Sequence, residues 1–500
     1  MTREKKLVYN TVFSLLYQLV ALICGFVLPR YMISYYGSEV NGLVSSITQF
    51  LGFIGLAECG VGAVVQSTLY KPLAEDNDEE ISKIIISAEK FFHTIALILG
   101  IYTFVLMIIY PQFTSGAFDY IFTSSLIFII AIASFFQYYF SMSYSLLLSA
   151  NAMGFINMIL RSVTSILNVV FSIILITNGA SIHIVKLVSS LVFLVQPIFL
   201  SIYVKKHYNL NKKLILKEEP IKQKWNGLMQ HIATIVLKNT DIAVLTIFSN
   251  LKNVSIYSVY NLIVNGIEMI LTALTNGVSA LFGEMYAKNE IQELNNTFAY
   301  IEWQIHTVVI FVFSCTGLLI VPFVSVYTQG VDDANYIVPL FAILITVARA
   351  AYCLRLPYNI MVLAAGHYKQ TQNSAFIEAS INIIISIGLV IKYGLVGVAI
   401  GTFVAMVYRT IYYAIYLSKN ILYRNIKYFL KQCFVDGLIV AIISIFSHYI
   451  SVASNTYLIW IFQSVKVSIG VLLITFLVNL IFYRQNVLRQ WRYLKKLFRK

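Results

Sequence analysis

Lysine and arginine recur inside long apolar stretches of this chain. Lys238 lies mid-way through 225–248, Arg349 and Arg355 lie inside 336–363, and Arg409 lies inside 395–417. A charge at the centre of a hydrocarbon layer costs about 2.5–3.5 kcal/mol on insertion scales. A chain tolerates that where the group faces a wet cavity or meets a counter-ion. Guanidinium and ammonium groups grip phosphate-like oxygens through charge-assisted hydrogen bonds, so these residues point to something anionic that crosses. The acids admit two readings. Lys238 and Asp241 stand three apart and can pair on one helix face. Glu268, Glu302 and Glu378 have no cation within a helical turn. They either pair across helices with Arg349, Arg355 or Arg409, or carry a coupling proton or sodium ion. Asp241, Glu268 and Glu378 are the ion-coupling candidates. Arg30, Arg161 and Lys186 lie near the ends of their stretches, where long cationic side chains also snorkel to the interface.

Uncharged polar residues fall into stripes. Tyr257, Asn261, Asn265, Glu268, Thr272, Thr275 and Ser279 recur at steps of three or four, which sets them on one helix face. Asn261 and Asn265 are the candidates there for lining a polar path. Asn157, Arg161, Ser165, Asn168 and Ser172 repeat the pattern, as do Asn10, Ser14, Gln18, Ala21 and Gly25. Small and polar residues also serve helix packing. That reading suits the last of these stripes best and the first least. Arg349, Tyr352, Arg355 and Asn359 share one sector of a further helix, and Pro357 is expected to kink it.

Helices that cross a membrane must position these residues. The 500 residues are 59% hydrophobic and 12% charged, with a mean hydropathy of +0.78. Soluble domains are nearer half apolar and a quarter charged. Apolar segments of about 20 residues or more, each long enough to span hydrocarbon, recur from end to end. Backbone groups in lipid must be satisfied within each span, which excludes open sheets. The expectation is an all-α polytopic protein of about fourteen transmembrane helices, beginning with 9–29 and 41–66 and ending with 432–452 and 458–483. With the N-terminus inside, 25 lysines and arginines fall in cytoplasmic segments and 3 on the other side. That asymmetry places both termini in the cytoplasm. It also accounts for the net charge of +14 without any nucleic-acid partner.

The chain repeats itself. Asn168-Val-Val-Phe-Ser-Ile173 matches Asn382-Ile-Ile-Ile-Ser-Ile387 at an offset of 214 residues. Within a residue the same offset relates Val40 to Val254, Ala74 to Ala287, and Ala150 to Ala365. Two six-helix copies then run parallel, related by an axis along the membrane normal. The first lobe is expected over 1–204, a basic cytoplasmic linker over 205–224 and the second lobe over 225–418. Two extra helices follow over 432–483, then a basic amphipathic tail over 484–500 that suits an anionic inner leaflet.

Enzymatic chemistry finds no support. No glycine-rich phosphate loop precedes a lysine, and the seven histidines show no metal-ligand spacing. Cys24, Cys59, Cys315, Cys353 and Cys433 fall in apolar spans without a CxxC pair, so neither a disulfide framework nor a zinc site is implied. The first span lacks a small-residue cleavage site, so no cleavable signal peptide is expected.

Three motifs carry a family likeness. They are Tyr36-Gly-Ser-Glu-Val-Asn-Gly-Leu43 followed by Leu69-Tyr-Lys-Pro-Leu73; Pro357-Tyr-Asn-Ile-Met-Val-Leu-Ala-Ala-Gly366 followed by Lys369, Glu378 and Asn382; and Gly394-Leu-Val-Gly-Val-Ala-Ile-Gly401. Together the chain resembles the polysaccharide-transporter branch of the multidrug/oligosaccharidyl-lipid/polysaccharide exporter superfamily, which includes Wzx-type O-unit and capsule-repeat flippases. The resemblance covers essentially the whole chain. It implies export of undecaprenyl-diphosphate-linked oligosaccharide from the inner to the outer leaflet of the bacterial cytoplasmic membrane, through a cationic cavity with alternating access. Carried over, the cavity cations are Arg30, Lys238, Arg349, Arg355 and Arg409, with the second lobe holding the diphosphate. The last two helices would hold the lipid tail, as in the related lipid II flippases. The charged motif of those flippases in the first span has no counterpart here, where Arg30 is the only charge. Partners would be the lipid-linked oligosaccharide and membrane lipids, with a polymerase or glycosyltransferases of the pathway as candidates. No cofactor is expected beyond a coupling proton or sodium ion. The competing readings are a lipid II flippase, a drug/cation antiporter of the same fold, and a membrane-embedded polymerase or ligase.

Overall fold

The computed structural model describes every residue except 1, 59, 115, 212–213, 215–227, 276, 448–455 and 498–500. Cys59, most of the linker 205–224, and Phe498 of the tail therefore lie outside the described residues. Among those described there is no strand. The helices are α1 Arg3–Gly52, α2 Gly55–Glu58, α3 Val61–Ala74, α4 Asp78–Ile109, α5 Pro111–Thr114, α6 Tyr120–Phe136, α7 Met142–Ala150, α8 Gly154–Thr177, α9 Ile182–His207 and α10 Leu228–Phe248. They continue with α11 Leu251–Leu274, α12 Val278–Ala287, α13 Ile291–Tyr327, α14 Pro339–Leu354, α15 Leu356–Ala364, α16 Tyr368–Tyr393, α17 Leu395–Asn420, α18 Lys427–Ser447, α19 Tyr457–Phe482 and α20 Arg484–Leu497. A π-helical turn, Gln137–Ser141, joins α6 to α7.

The chain is a multi-pass membrane protein. Twelve stretches among the described residues are long and apolar enough to cross, whereas the sequence reading counts fourteen. The difference lies in two places. Lys5–Glu58 is one stretch of 54 residues, about 80 Å at the rise of an α-helix. It covers both 9–29 and most of 41–66, with length for two crossings of about 30 Å each. The boundary between them is a break rather than a loop, since Gly37 sits at φ 83° and ψ 173° inside α1. Only glycine adopts that backbone without strain. The other place is α10, which is not among the twelve.

The backbone repeats with the sequence. Helices end in left-handed residues at Asp76 and Asn289, at Ala152 and Gly366, and at Gly179 and Gly394. Each pair is separated by the offset read from the sequence, to within a residue. Asn41 and Ser255, also equivalent under that offset, hydrogen-bond at 2.7 Å.

Two compact units result, Met1–Ser255 and Ile256–Lys500. The first takes in α10, which the sequence reading sets at the head of the second lobe. The second half of α1 holds it there. Ser46 Oγ meets Thr246 Oγ1 at 2.6 Å, Gln49 donates to the Lys238 carbonyl at 2.9 Å, and Gly42 lies against the Leu251 carbonyl. The core of this unit gathers Leu43, Ile47, Val65, Leu69, Phe92 and Leu147, all fully buried.

In the second unit α16 and α17 pack closely along Gly394–Gly401. A Cβ on Gly401 would stand 2.2 Å from Ser386 Oγ, and one on Gly397 would stand 2.5 Å from the Leu389 carbonyl. Gly401→Ala is therefore expected to cost about 1–3 kcal/mol by overpacking, read as a lower unfolding temperature of the purified chain. Phe282, Phe298, Tyr358 and Tyr413 form one buried cluster. A second joins Ile310 and Leu319 of α13 to Val435, Ile439, Val467 and Val471 of α18 and α19. The tail helix α20 touches α13, where Gln304 donates to Gln490 at 2.7 Å and Arg489 lies over the Tyr300 ring. Its Leu488 and Trp491 stay exposed.

Candidate functional site

The kink between α14 and α15 organises the second unit's charges. Pro357 has no N–H to give, so the α14 ladder stops at Leu354 and α15 restarts at Leu356. Arg355 falls at the junction. Pro197 and Pro322 are accommodated within the continuous helices α9 and α13 instead.

On the α11 side of that kink, Arg349 reaches two partners. Its Nη1 lies 2.9 Å from Glu268 Oε2, and its Nη2 donates to Asn261 Oδ1 at 3.0 Å. The Arg349 and Glu268 side chains keep 14% and 17% of their surface exposed, so the pair is open to one side. Asn265, a turn beyond Asn261, is exposed. The stripe on α11 ends earlier than the spacing suggests. The helix stops at Leu274 and Ser279 belongs to α12, with Gly277, a poor helix residue, between them.

On the other side of the kink the cations are closed in. Glu378 of α16 takes Arg355 Nη1 on one carboxylate oxygen at 2.6 Å and Arg409 of α17 on the other. Exposure of these side chains is 5% for Arg355, 6% for Arg409 and 1% for Glu378. Arg409 also donates to Tyr413 Oη at 3.0 Å, and Arg355 lies over the Tyr352 ring. Of the two readings of the acids, pairing across helices describes Glu268 and Glu378. It leaves Arg349 with Glu268 neutral, and the Arg355–Glu378–Arg409 triad with one positive charge in excess.

The first unit holds the remaining candidates. Arg30 is half-buried in α1, Lys238 is exposed on α10, and Asp241 is buried. The other two polar stripes make contacts between helices. Asn10 accepts from the Phe155 N–H and donates to the Ala152 carbonyl, both at 2.7 Å, which fixes α1 to the start of α8. Asn157 accepts from Gln196 at 2.7 Å and donates to Ser145 at 2.6 Å.

Two features escape the sequence reading. One is a cavity of about 280 Å³ in the first unit, lined by Thr48, Glu58, Ser134, Gln137 and Tyr138 among others. The π-helical turn turns Gln137 and Tyr138 toward it, and such turns recur at functional positions. The other is a buried set around His306 in the second unit. Glu302 and His306 stand one turn apart on α13, and Gln432 and Asp436 one turn apart on α18. That paired spacing was the available signal.

No family model matches the chain, and no curated protein matches it. Solved structures do. The lipid II flippase MurJ in its inward closed conformation matches with a TM-score of 0.71 at 18% identity, over 95% of this chain and 99% of that one. The eukaryotic MATE transporter AtDTX14 matches with a TM-score of 0.52 at 12% identity, over 94% and 98%. The MATE transporter VcmN of Vibrio cholerae in its bent form matches with a TM-score of 0.52 at 14% identity, over 84% and 98%. These neighbours are transporters and flippases rather than enzymes. From end to end the chain has the helical fold shared by the MurJ flippase and the MATE transporters.

Proposed function

We propose that the chain is a flippase that moves undecaprenyl-diphosphate-linked oligosaccharide units from the inner to the outer leaflet of a bacterial cytoplasmic membrane, for export of a surface polysaccharide. The carrying observation is the match to a lipid II flippase along 95% of the chain. The cargo class follows from chemistry. A sugar diphosphate is too polar to cross hydrocarbon unaided, while its tail can remain in lipid. The protein need only supply a polar path with cations for the head. Alternating access works by differential affinity between two states, so the grip must be modest.

In this reading Arg349 meets the diphosphate, because its pair with Glu268 is open. Asn261 and Asn265 meet sugar hydroxyls, and Arg30 and Lys238 supply cations in the first unit. Arg355 and Arg409 act from behind, as a buried positive charge held by Glu378. Coupling to a proton or sodium ion falls on Glu268 rather than Glu378, whose two oxygens are both engaged by guanidinium groups. Asp241 is the corresponding acid of the first unit. Both termini are cytoplasmic, and pathway glycosyltransferases or a polymerase are the protein partners.

Depleting the protein should leave the lipid-linked intermediate on the inner leaflet while its synthesis continues. Normal surface polysaccharide after deletion, with no second transporter present, overturns the proposal. A lipid II flippase is the second reading, favoured by the same structural match. Rescue of cells depleted of their own lipid II flippase would select it.

A further inference from the structure

The buried set around His306 joins two carboxylates, a guanidinium, a phenol and an imidazole through hydrogen bonds. Glu302 of α13 accepts both terminal nitrogens of Arg424, at 2.8 and 2.5 Å, and so serves only as an acceptor. Tyr358 of α15 spends its single hydroxyl proton on Glu302 at 2.5 Å. Toward His306 Nε2, 3.3 Å away, Tyr358 Oη is therefore an acceptor. On the other edge of the ring, His306 Nδ1 lies 2.6 Å from Asp436 Oδ2 of α18. The second oxygen of Asp436 accepts from Gln432 at 3.1 Å. Both ring nitrogens thus face acceptors, which neutral imidazole cannot satisfy alone. Either the ring is an imidazolium or Asp436 has taken the proton. The two forms differ only in where that proton sits along a 2.6 Å hydrogen bond.

Charge balance leads to the same count. Glu302, Asp436, Arg424 and a protonated His306 sum to zero, and each is at most 5% exposed or has its side chain at most 8% exposed. Without the proton a net negative charge is left in a site nearly sealed from water, at a desolvation cost that the proton removes. The remaining titratable neighbours are Cys433 of α18 and Tyr483 beyond α19. Neither adds a positive charge.

We infer that His306 and Asp436 form a proton-binding site whose occupancy docks the C-terminal helices α18 and α19 on α13. The geometry says why docking depends on it. His306–Asp436 is the charged link between α13 and this helix pair. Neutral polar links join them as well, with Trp303 donating to Asn479 at 2.6 Å and Trp460 to the Leu319 carbonyl at 3.2 Å. The docked state binds one more proton than the undocked state, so docking weakens as pH rises. The inference does not depend on which molecule the protein carries.

The test uses the full-length chain in lipid nanodiscs. In nitrogen-15 histidine spectra at neutral pH, the resonance that disappears in His306→Gln should show both ring nitrogens protonated or sharing the proton with Asp436. A singly protonated, unshared ring overturns the inference. Amide exchange in 427–482, corrected for its intrinsic pH dependence, should accelerate at least tenfold toward alkaline pH. Asp436→Asn balances the charges without the extra proton and should abolish that step while leaving the pair docked. His306→Gln should give fast exchange at every pH, and His306→Gln with Asp436→Asn should restore slow exchange. An alkaline step that survives Asp436→Asn unchanged assigns the proton elsewhere and overturns the proposal.

Discussion

Glu378→Gln is expected to destabilise the second unit more than any other single conservative change. The carboxylate is the shared counter-ion of Arg355 and Arg409, and all three side chains are nearly sealed from solvent. Removing one member of a buried ionic set costs about 3–5 kcal/mol, because the partners are left charged and desolvated. Here two guanidinium groups are stranded rather than one. They belong to the α14–α15 junction and to α17, with the site of the lost carboxylate on α16 between them, so their repulsion acts where the unit is most tightly packed. The check is thermal unfolding of the purified chain in detergent, alongside the yield of monodisperse protein. Replacing Arg355, Glu378 and Arg409 together with methionine should recover most of the loss, since a buried triad is often exchangeable for apolar side chains of similar volume. A Glu378→Gln protein as stable as the parent would show that the triad does not hold these helices together.

The triad also marks where reading the sequence reaches its limit. The cations Arg349, Arg355 and Arg409 are conspicuous because each interrupts an apolar run, and that signal is local. The kink at Pro357 is local too, and the structure has it where the residue type requires it. The repeat was legible because its offset recurs, and the left-handed helix ends carry the same offset. Partner choice is different. Arg355 and Glu378 are 23 residues apart, Glu378 and Arg409 are 31 apart, and Arg349 and Glu268 are 81 apart. No helical periodicity connects residues on different helices, so the sequence leaves both pairing and ion coupling open for the same acids.

Arg424 shows the converse error. In a count of cytoplasmic cations it is one topogenic residue among many. In the structure it is the counter-ion of Glu302, with 8% of its side chain exposed. A charge rule that sums over loops has no term for a loop residue folded back into the protein. The break after Leu274 was missed for a similar reason: the polar stripe is periodic through Ser279, but the helix that carries it is not continuous.

Arg349→Gln is expected to abolish most transport while leaving the fold intact, the opposite of Glu378→Gln. Arg349 and Glu268 are partly open, so loss of one partner is relieved by water, and the stability change should be small. The functional loss should be large if this guanidinium meets the diphosphate. Hydrogen bonds to charged groups are worth about 1.5–3 kcal/mol, which is roughly a ten- to hundredfold change in affinity. The measurement is the rate at which labelled lipid-linked oligosaccharide becomes accessible on the far leaflet of proteoliposomes. Exchanging the two residues, Arg349→Glu with Glu268→Arg, separates a structural pair from a binding one. The exchanged pair keeps its mutual attraction but carries the cation on α11 instead of α14. Full recovery of transport in the exchanged protein would mean that the pair only fixes helix against helix. Recovery of stability without transport places the diphosphate against the α14 side. Glu268→Gln completes the set. It frees Arg349 from its counter-ion, so the head group should bind more tightly and leave more slowly. The maximal rate should then fall while apparent affinity rises, a split that loss of a purely structural contact does not produce.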